Sequence, residues 1–235
     1  MKLRLLNVRL PHHMSFTDMV HPLRVHSYKP GEESRKGFEI SYSSECLLKS
    51  RFIVRRVVDE IIESPFAEEE VITSTYIETY DTIAWPLENG NICLVLKNSP
   101  RGVRPLIDMY SLLYGYGFSI EPIKLDIASF VNVFSCIKEV KEFTIKKIKS
   151  TNILVTKDST ASVEITSSVN ALSDLDSFLG SRNRVLTKLR YEAKLINGVY
   201  KGEVLSSGGL YLDDLFIEHL GIDFPDFINM LINNQ

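Results

Sequence analysis

No apolar run in this chain approaches the roughly 20 residues that an α-helix needs to cross a bilayer. The first residues, MKLRLLNVRLPHH, alternate charged and apolar side chains and lack the uninterrupted core of a secretion signal. Cysteine is scarce as well. Cys46, Cys93 and Cys136 are far apart in apolar surroundings, which argues against a disulfide framework and fits reduced, buried thiols in a cytoplasmic protein. The chain has no nucleophile elbow, no phosphate-binding glycine-rich loop and no dinucleotide fingerprint, and Ser207-Gly208-Gly209 reads as a turn. It has no internal repeat or low-complexity linker. These absences count against a membrane-spanning protein, a stapled secreted domain and the commonest nucleotide enzymes, and no cofactor is expected.

What is present suits a globular chain. With 235 residues, 44% apolar and 24% charged, a core can be buried without disulfides or metal. The net charge is −3, but its distribution is uneven. Residues 1–60 carry 11 Lys/Arg against 7 Asp/Glu, and residues 61–100 carry 1 against 7. Residues 101–210 carry 15 against 11, and residues 211–235 carry 0 against 5. Basic surface can therefore coexist with acidic segments, which permits an anionic partner without requiring one.

The pattern predicts a mixed α+β fold with antiparallel sheets and flanking helices. Residues 2–10 alternate at period two and read as a strand with one wet face. A long loop follows, with a short helix near Phe16–Val20 and a strand at 38–43. Residues 44–64 place Leu47, Leu48, Phe52, Val57, Val58, Ile61 and Ile62 near helical spacing, with Ser44 as a cap, although their β-branched content keeps a strand open. Residues 71–97 read as strands joined by an Asn89-Gly90 turn whose two residues tolerate positive φ. A helix is expected over Val103–Tyr114, a strand at 119–125, and a helix capped by Asp126 that runs to about Val140. FTIKKIK and NILVTK are two further strands. ASVEITS, NALSDLDSFLG and a hairpin turning at Asn197-Gly198 give β-α-β-β, half of a ferredoxin-like arrangement. Acidic amphipathic helices close the chain, and a domain boundary is placed at residues 157/158.

Several patterns bear on chemistry. The strand Val185–Ile196 puts Leu189, Tyr191, Ala193 and Leu195 on one face and Lys188, Arg190, Glu192 and Lys194 on the other. Arg182, Arg184 and Lys201 lie nearby in sequence. Lys146, Lys147 and Lys149 crowd another strand, and Arg101 and Arg104 open a helix. Such cations can follow a phosphate backbone without reading its sequence, and a helix start adds N–H groups. Equally, each is an ordinary solvated position unless the segments cluster in space. Glu192-x-Lys194 with Asp174 or Asp176 upstream has the residue types of a Mg²⁺-dependent nuclease, in which carboxylates hold the metal and lysine orients water. His12, His13, His21 and His26 suggest either a zinc site or a polar loop. Trp85, Tyr110, Tyr114 and Tyr116 stack on bases if exposed and otherwise belong to the core. Leu212, Leu215, Phe216, Leu220, Phe224, Phe227 and Leu231 form an apolar stripe in the acidic tail, suited to docking on a partner protein or a second copy.

Over residues 82–149 the order of elements resembles the lambda-type Rex exclusion protein A family of prophage and bacterial defence proteins. The resemblance rests on a strand with an Asn-Gly turn, ICLVLKNSPRGVRPLIDMYSLL, SIEPIKLDIASFV with Ile120-Glu121-Pro122 matching an I-x-P strand, and the lysine-bearing FTIKKIK. It implies a non-enzymatic cytoplasmic protein of phage exclusion that binds DNA without sequence specificity, self-associates and acts with a separate effector. It supplies no catalytic residue.

Overall fold

The computed structural model of the chain describes residues 1–30, 35–62, 70–180 and 182–233. In chain order they form β1 (Lys2–Arg9), a 3-10 turn (Thr17–Met19), α1 (Val20–Val25), β2 (Lys36–Ser43), β3 (Leu48–Ile62), β4 (Glu70–Pro86) and β5 (Ile92–Lys97). Next come α2 (Arg104–Tyr114), β6 (Ser119–Pro122), α3 (Ile127–Cys136), β7 (Glu142–Thr156), β8 (Ser159–Thr166) and α4 (Ala171–Leu179). The chain continues with β9 (Val185–Leu195), β10 (Gly198–Leu205), β11 (Gly209–Tyr211), α5 (Phe216–Leu220) and α6 (Phe224–Asn233). The fold is the mixed α+β arrangement with antiparallel strands that the pattern predicts.

The chain divides into two compact units. One comprises residues 1–6 and 122–235, the other residues 7–121. The expected division at 157/158 falls instead in the turn of the β7–β8 hairpin, where Thr156 pairs with Ser159. The start of β1 joins the later unit because Lys2, Leu3 and Arg4 pair with Tyr211, Leu210 and Gly209 of β11. That partner lies about two hundred residues away, where no local signal reaches.

In the first unit the strands run β1-β11-β10-β9-β7-β8. Leu189, Tyr191 and Ala193 on β9 and Ile145 and Ile148 on β7 are buried. An aromatic cluster covers them. Phe134 of α3 lies 5.1 Å from Tyr191, 5.3 Å from Phe143, 5.8 Å from Phe216 of α5 and 5.9 Å from Phe227 of α6. Gly202 sits directly opposite Tyr191, and a Cβ there would fall 2.3 Å from the ring, so this close approach requires glycine. Asp126 caps α3 by accepting from the backbone N–H groups of Ala128 and Ser129, as expected from sequence. The expected β-α-β-β order occurs as β8-α4-β9-β10, but β7 lies between β8 and β9, and a ferredoxin-like unit is not established by it.

The second unit orders its strands β2-β3-β4-β5. In its core Phe38 stacks on Tyr110 of α2 (5.6 Å) and lies tilted against Phe52 (4.8 Å), and the Tyr114 hydroxyl donates to the Met19 carbonyl at 2.9 Å. Pro105 occupies the first turn of α2, where its missing N–H costs nothing.

Several expectations are corrected. Residues 48–62 are strand, not helix: β3 pairs with β4 from Leu48↔Ala84 to Ile62↔Glu70. Ser44 caps no helix. Its hydroxyl accepts from the N–H of Leu47 in the turn between β2 and β3, a local bond of the same type as a cap. FTIKKIK and NILVTK form one strand, β7, with Asn152 at φ 56° where its pairing is irregular. In the Asn89-Gly90 turn the glycine alone takes a positive φ (79°). Cys93 is buried, whereas Cys46 and Cys136 are exposed. The acidic tail is split into two helices at Gly221 and Pro225: Gly221 closes α5, and Pro225 lies in the first turn of α6. Of the expected docking stripe, Leu212, Phe216, Leu220, Phe227 and Leu231 are buried in the chain's own core, Phe224 is half-buried, and Leu215 is exposed. Among the described residues no helix is long and apolar enough to cross a membrane.

Candidate nucleic-acid interface

Strand pairing decides which cations meet. Directly opposed residues in an antiparallel sheet point to the same face, with Cβ atoms roughly 5 Å apart. The β7–β9 register sets Lys147 opposite Arg190 and Lys149 opposite Lys188. Four cations therefore form a two-by-two block on the face opposite the aromatic core. Beyond it, Arg190 faces Glu203 and Lys188 faces Leu205 on β10, while Lys149 faces Glu164 and Lys147 faces Thr166 on β8. The same rows continue through Tyr211 and Gly209 of β11 to Lys2 and Arg4 of β1. Further along β9, Glu192 faces Lys201, and Lys194 faces Val199 and Glu142. These rows thus carry eight cations and four carboxylates, Glu142, Glu164, Glu192 and Glu203.

The glutamates bracket the block rather than neutralise it. Lys147 reaches Glu164 at 2.6 Å, Lys188 reaches Glu203 at 2.9 Å, and Arg190 also pairs with Glu203. Lys201 and Lys146 share Glu192, at 3.1 and 3.7 Å. Lys146 reaches this face because it is the extra residue of a β-bulge between Ile145↔Tyr191 and Lys147↔Arg190. Its ammonium also donates to the Ser168 carbonyl at 3.0 Å. Lys149, Lys194 and Arg4 make no ion pair with another described residue. The hydrogen bond from Lys147, with the charges of Lys149 and Lys188, holds the Glu164 carboxyl below its ordinary range. Burial pushes the Glu203 carboxyl up, but the hydrogen bonds and charges of Lys188 and Arg190 outweigh it and hold the group low. Both glutamates therefore report a positive field. At its β10–β11 end the face deepens into a groove of about 620 Å³ lined by Arg190, Lys201, Glu203, Asp213 and Asp214. Those carboxylates confine the uncompensated positive charge to β7, β9 and β1.

The remaining expected contacts lie elsewhere. Arg182 and Arg184 sit between α4 and β9, where Arg182 is exposed and Arg184 pairs with Asp176 of α4. Arg101 and Arg104 belong to the other unit. Arg104 is the first residue of α2, 90% exposed, with Asp108 one turn on at 3.7 Å. A cation at a helix's positive end calls for an anion, and for Arg104 the chain supplies its own.

The nuclease arrangement is not assembled. Asp176 is held by Arg184 on a helix, while Glu192 lies on the sheet between Lys146 and Lys201. Among the described residues no group of three His, Cys, Asp or Glu side chains is placed to hold a metal. His12, His13, His21 and His26 are all exposed, and His26 Nδ1 lies 3.0 Å from the Pro22 carbonyl. Trp85, Tyr110 and Tyr114 are buried, and Tyr116, flanked by Gly115 and Gly117, is fully exposed. Lys2 and Arg4 join the face although the sequence pattern does not mark them as contacts. Their alternation in β1 was the available signal, but it did not say which strand they would join.

No known family's sequence model matches the chain, and no curated protein matches it as a relative.

Proposed function

We propose that this is a non-enzymatic protein that binds the phosphate backbone of nucleic acid without sequence specificity, in the phage-exclusion setting implied by residues 82–149. One observation carries the reading: Lys147, Lys149, Lys188 and Arg190 are packed as opposed like-charge pairs on a solvent-facing sheet. Like charges directly across a ladder destabilise it, so such a block favours an anion lying over it. Strand spacing of about 4.8 Å spreads the cations over a surface on which a polyanion can engage several at once. Recognition of this kind works by counterion release and is lost with salt.

Gel shifts with random-sequence duplex DNA over a salt series test the reading. Four phosphate contacts give a slope of log K against log salt of about −4. Binding that is absent at low salt, or indifferent to salt, contradicts it.

A further inference from the structure

Charge on the open face of the first unit's sheet is sorted from strand to strand. Lys147, Lys149, Lys188 and Arg190 occupy β7 and β9, whereas the next two strands bring Glu203 and Tyr211 into the row of Arg190. Tyr211 is 56% exposed and forms a wall of the groove of about 620 Å³, together with Glu203, Asp213 and Asp214. Two strand spacings, about 10 Å, separate the backbones of Arg190 and Tyr211. An exposed tyrosine on a strand is ordinary by itself. Here its ring stands between a block of cations and a set of carboxylates, beside a groove with room for a planar ligand.

A duplex matches this layout poorly. It carries phosphates along both edges, so a duplex lying on the cations brings its second backbone toward Glu203, Asp213 and Asp214, which repel it. A single strand has phosphates on one side and uncharged bases on the other. Its backbone can follow the β7–β9 block while a base enters the groove, stacks on Tyr211 and donates N–H groups to the carboxylates. We propose that the groove is a base-binding site, and that the ligand of this face is single-stranded nucleic acid. Base binding here presupposes the phosphate-binding reading above: the block holds the backbone of either form, and the groove adds contacts that only an unpaired base can make.

Fluorescence anisotropy on the full chain tests the proposal. The probes are a labelled mixed-sequence DNA strand of about 16 nucleotides and the duplex that it forms with its complement. At about 0.15 M salt the wild type is expected to bind the strand about tenfold more tightly than the duplex. Tyr211→Val keeps a strand-forming side chain and removes the ring. It is expected to weaken binding of the strand about tenfold at every salt, with its salt slope unchanged and duplex binding unaffected. Unaffected duplex binding also shows that the variant folds, and Tyr211→Phe is expected to retain the wild-type preference. A wild type that binds the duplex as tightly as the strand overturns the base-binding site and leaves the phosphate-binding reading standing. So does a Tyr211→Val variant that binds the strand like the wild type, or one that weakens both forms equally, since the ring then supports the sheet rather than a base. Absence of binding to both forms overturns the phosphate-binding reading together with the base-binding site.

Discussion

The β7-β9-β10 sheet and the outer β3–β4 ribbon, from Arg55↔Ile77 to Asp59↔Thr73, share the same antiparallel ladder, yet among the described residues only the first has a covered face. Helices α3, α5 and α6 contribute the aromatic side chains that bury one side of the former, so β9 alternates cleanly and the charges collect opposite the core. Among the described residues the outer β3–β4 pairs have no such cover, and their exposed apolar residues fall on both faces, Val58 and Tyr76 on one and Val57 and Ile77 on the other. Burial of one face is therefore what sorts charge from apolar surface, and the sorted face is what a partner meets.

The strongest way to break this comparison is to empty the covered side. Phe134→Ala, at a fully buried ring in the centre of the aromatic cluster, is expected to cost about 3–5 kcal/mol in chemical denaturation. Ile77→Ser on the exposed ribbon is expected to stay within about 0.5 kcal/mol. Similar losses at the two sites would mean that the ribbon is packed against the chain's own core.

A smaller effect is expected at Glu203. Its depressed carboxyl contributes stability that is fully present above the ordinary glutamate value, about 4.3, and is lost as pH falls through the lower folded-state value. Glu203→Gln should remove that acid-dependent component, about 1 kcal/mol for a partly exposed pair. The same substitution removes the carboxylate that pairs with Lys188 and Arg190, so DNA should bind more tightly at a given salt while the slope stays near about −4, since both cations are already among the four contacts. Weaker or unchanged binding would mean that these cations do not contact phosphate. The smallest effect is expected from Arg101→Ala with Arg104→Ala. Arg104 already has Asp108, so the slope should not change, and a flatter slope would draw the second unit into the interface.

Legibility from sequence followed the same division. The faces of β9, the Asp126 cap and the helix after Ser99-Pro100 were readable because alternation, capping and proline chemistry act locally. The spacing of β3 imitates a helix because its sequence pairs apolar residues at Val57-Val58 and Ile61-Ile62. Its run of β-branched residues was the better signal. Lysines of β7 and β9 were readable as individual cations, but their pairing was not, since the register depends on a bulge at Lys146 and on contacts some forty residues apart. The role of Lys2 and Arg4 depends on a β11 partner at the far end of the chain.

The central claim is that the opposed block on β7 and β9 is a phosphate-binding surface. The most direct measurement is the salt slope of duplex DNA binding for wild type beside the variant carrying Lys147→Ala, Lys149→Ala, Lys188→Ala and Arg190→Ala. The account predicts a wild-type slope near −4 that falls by about 3 to 4 in the variant, with the thermal melt intact. Equal slopes for the two folded proteins would contradict it.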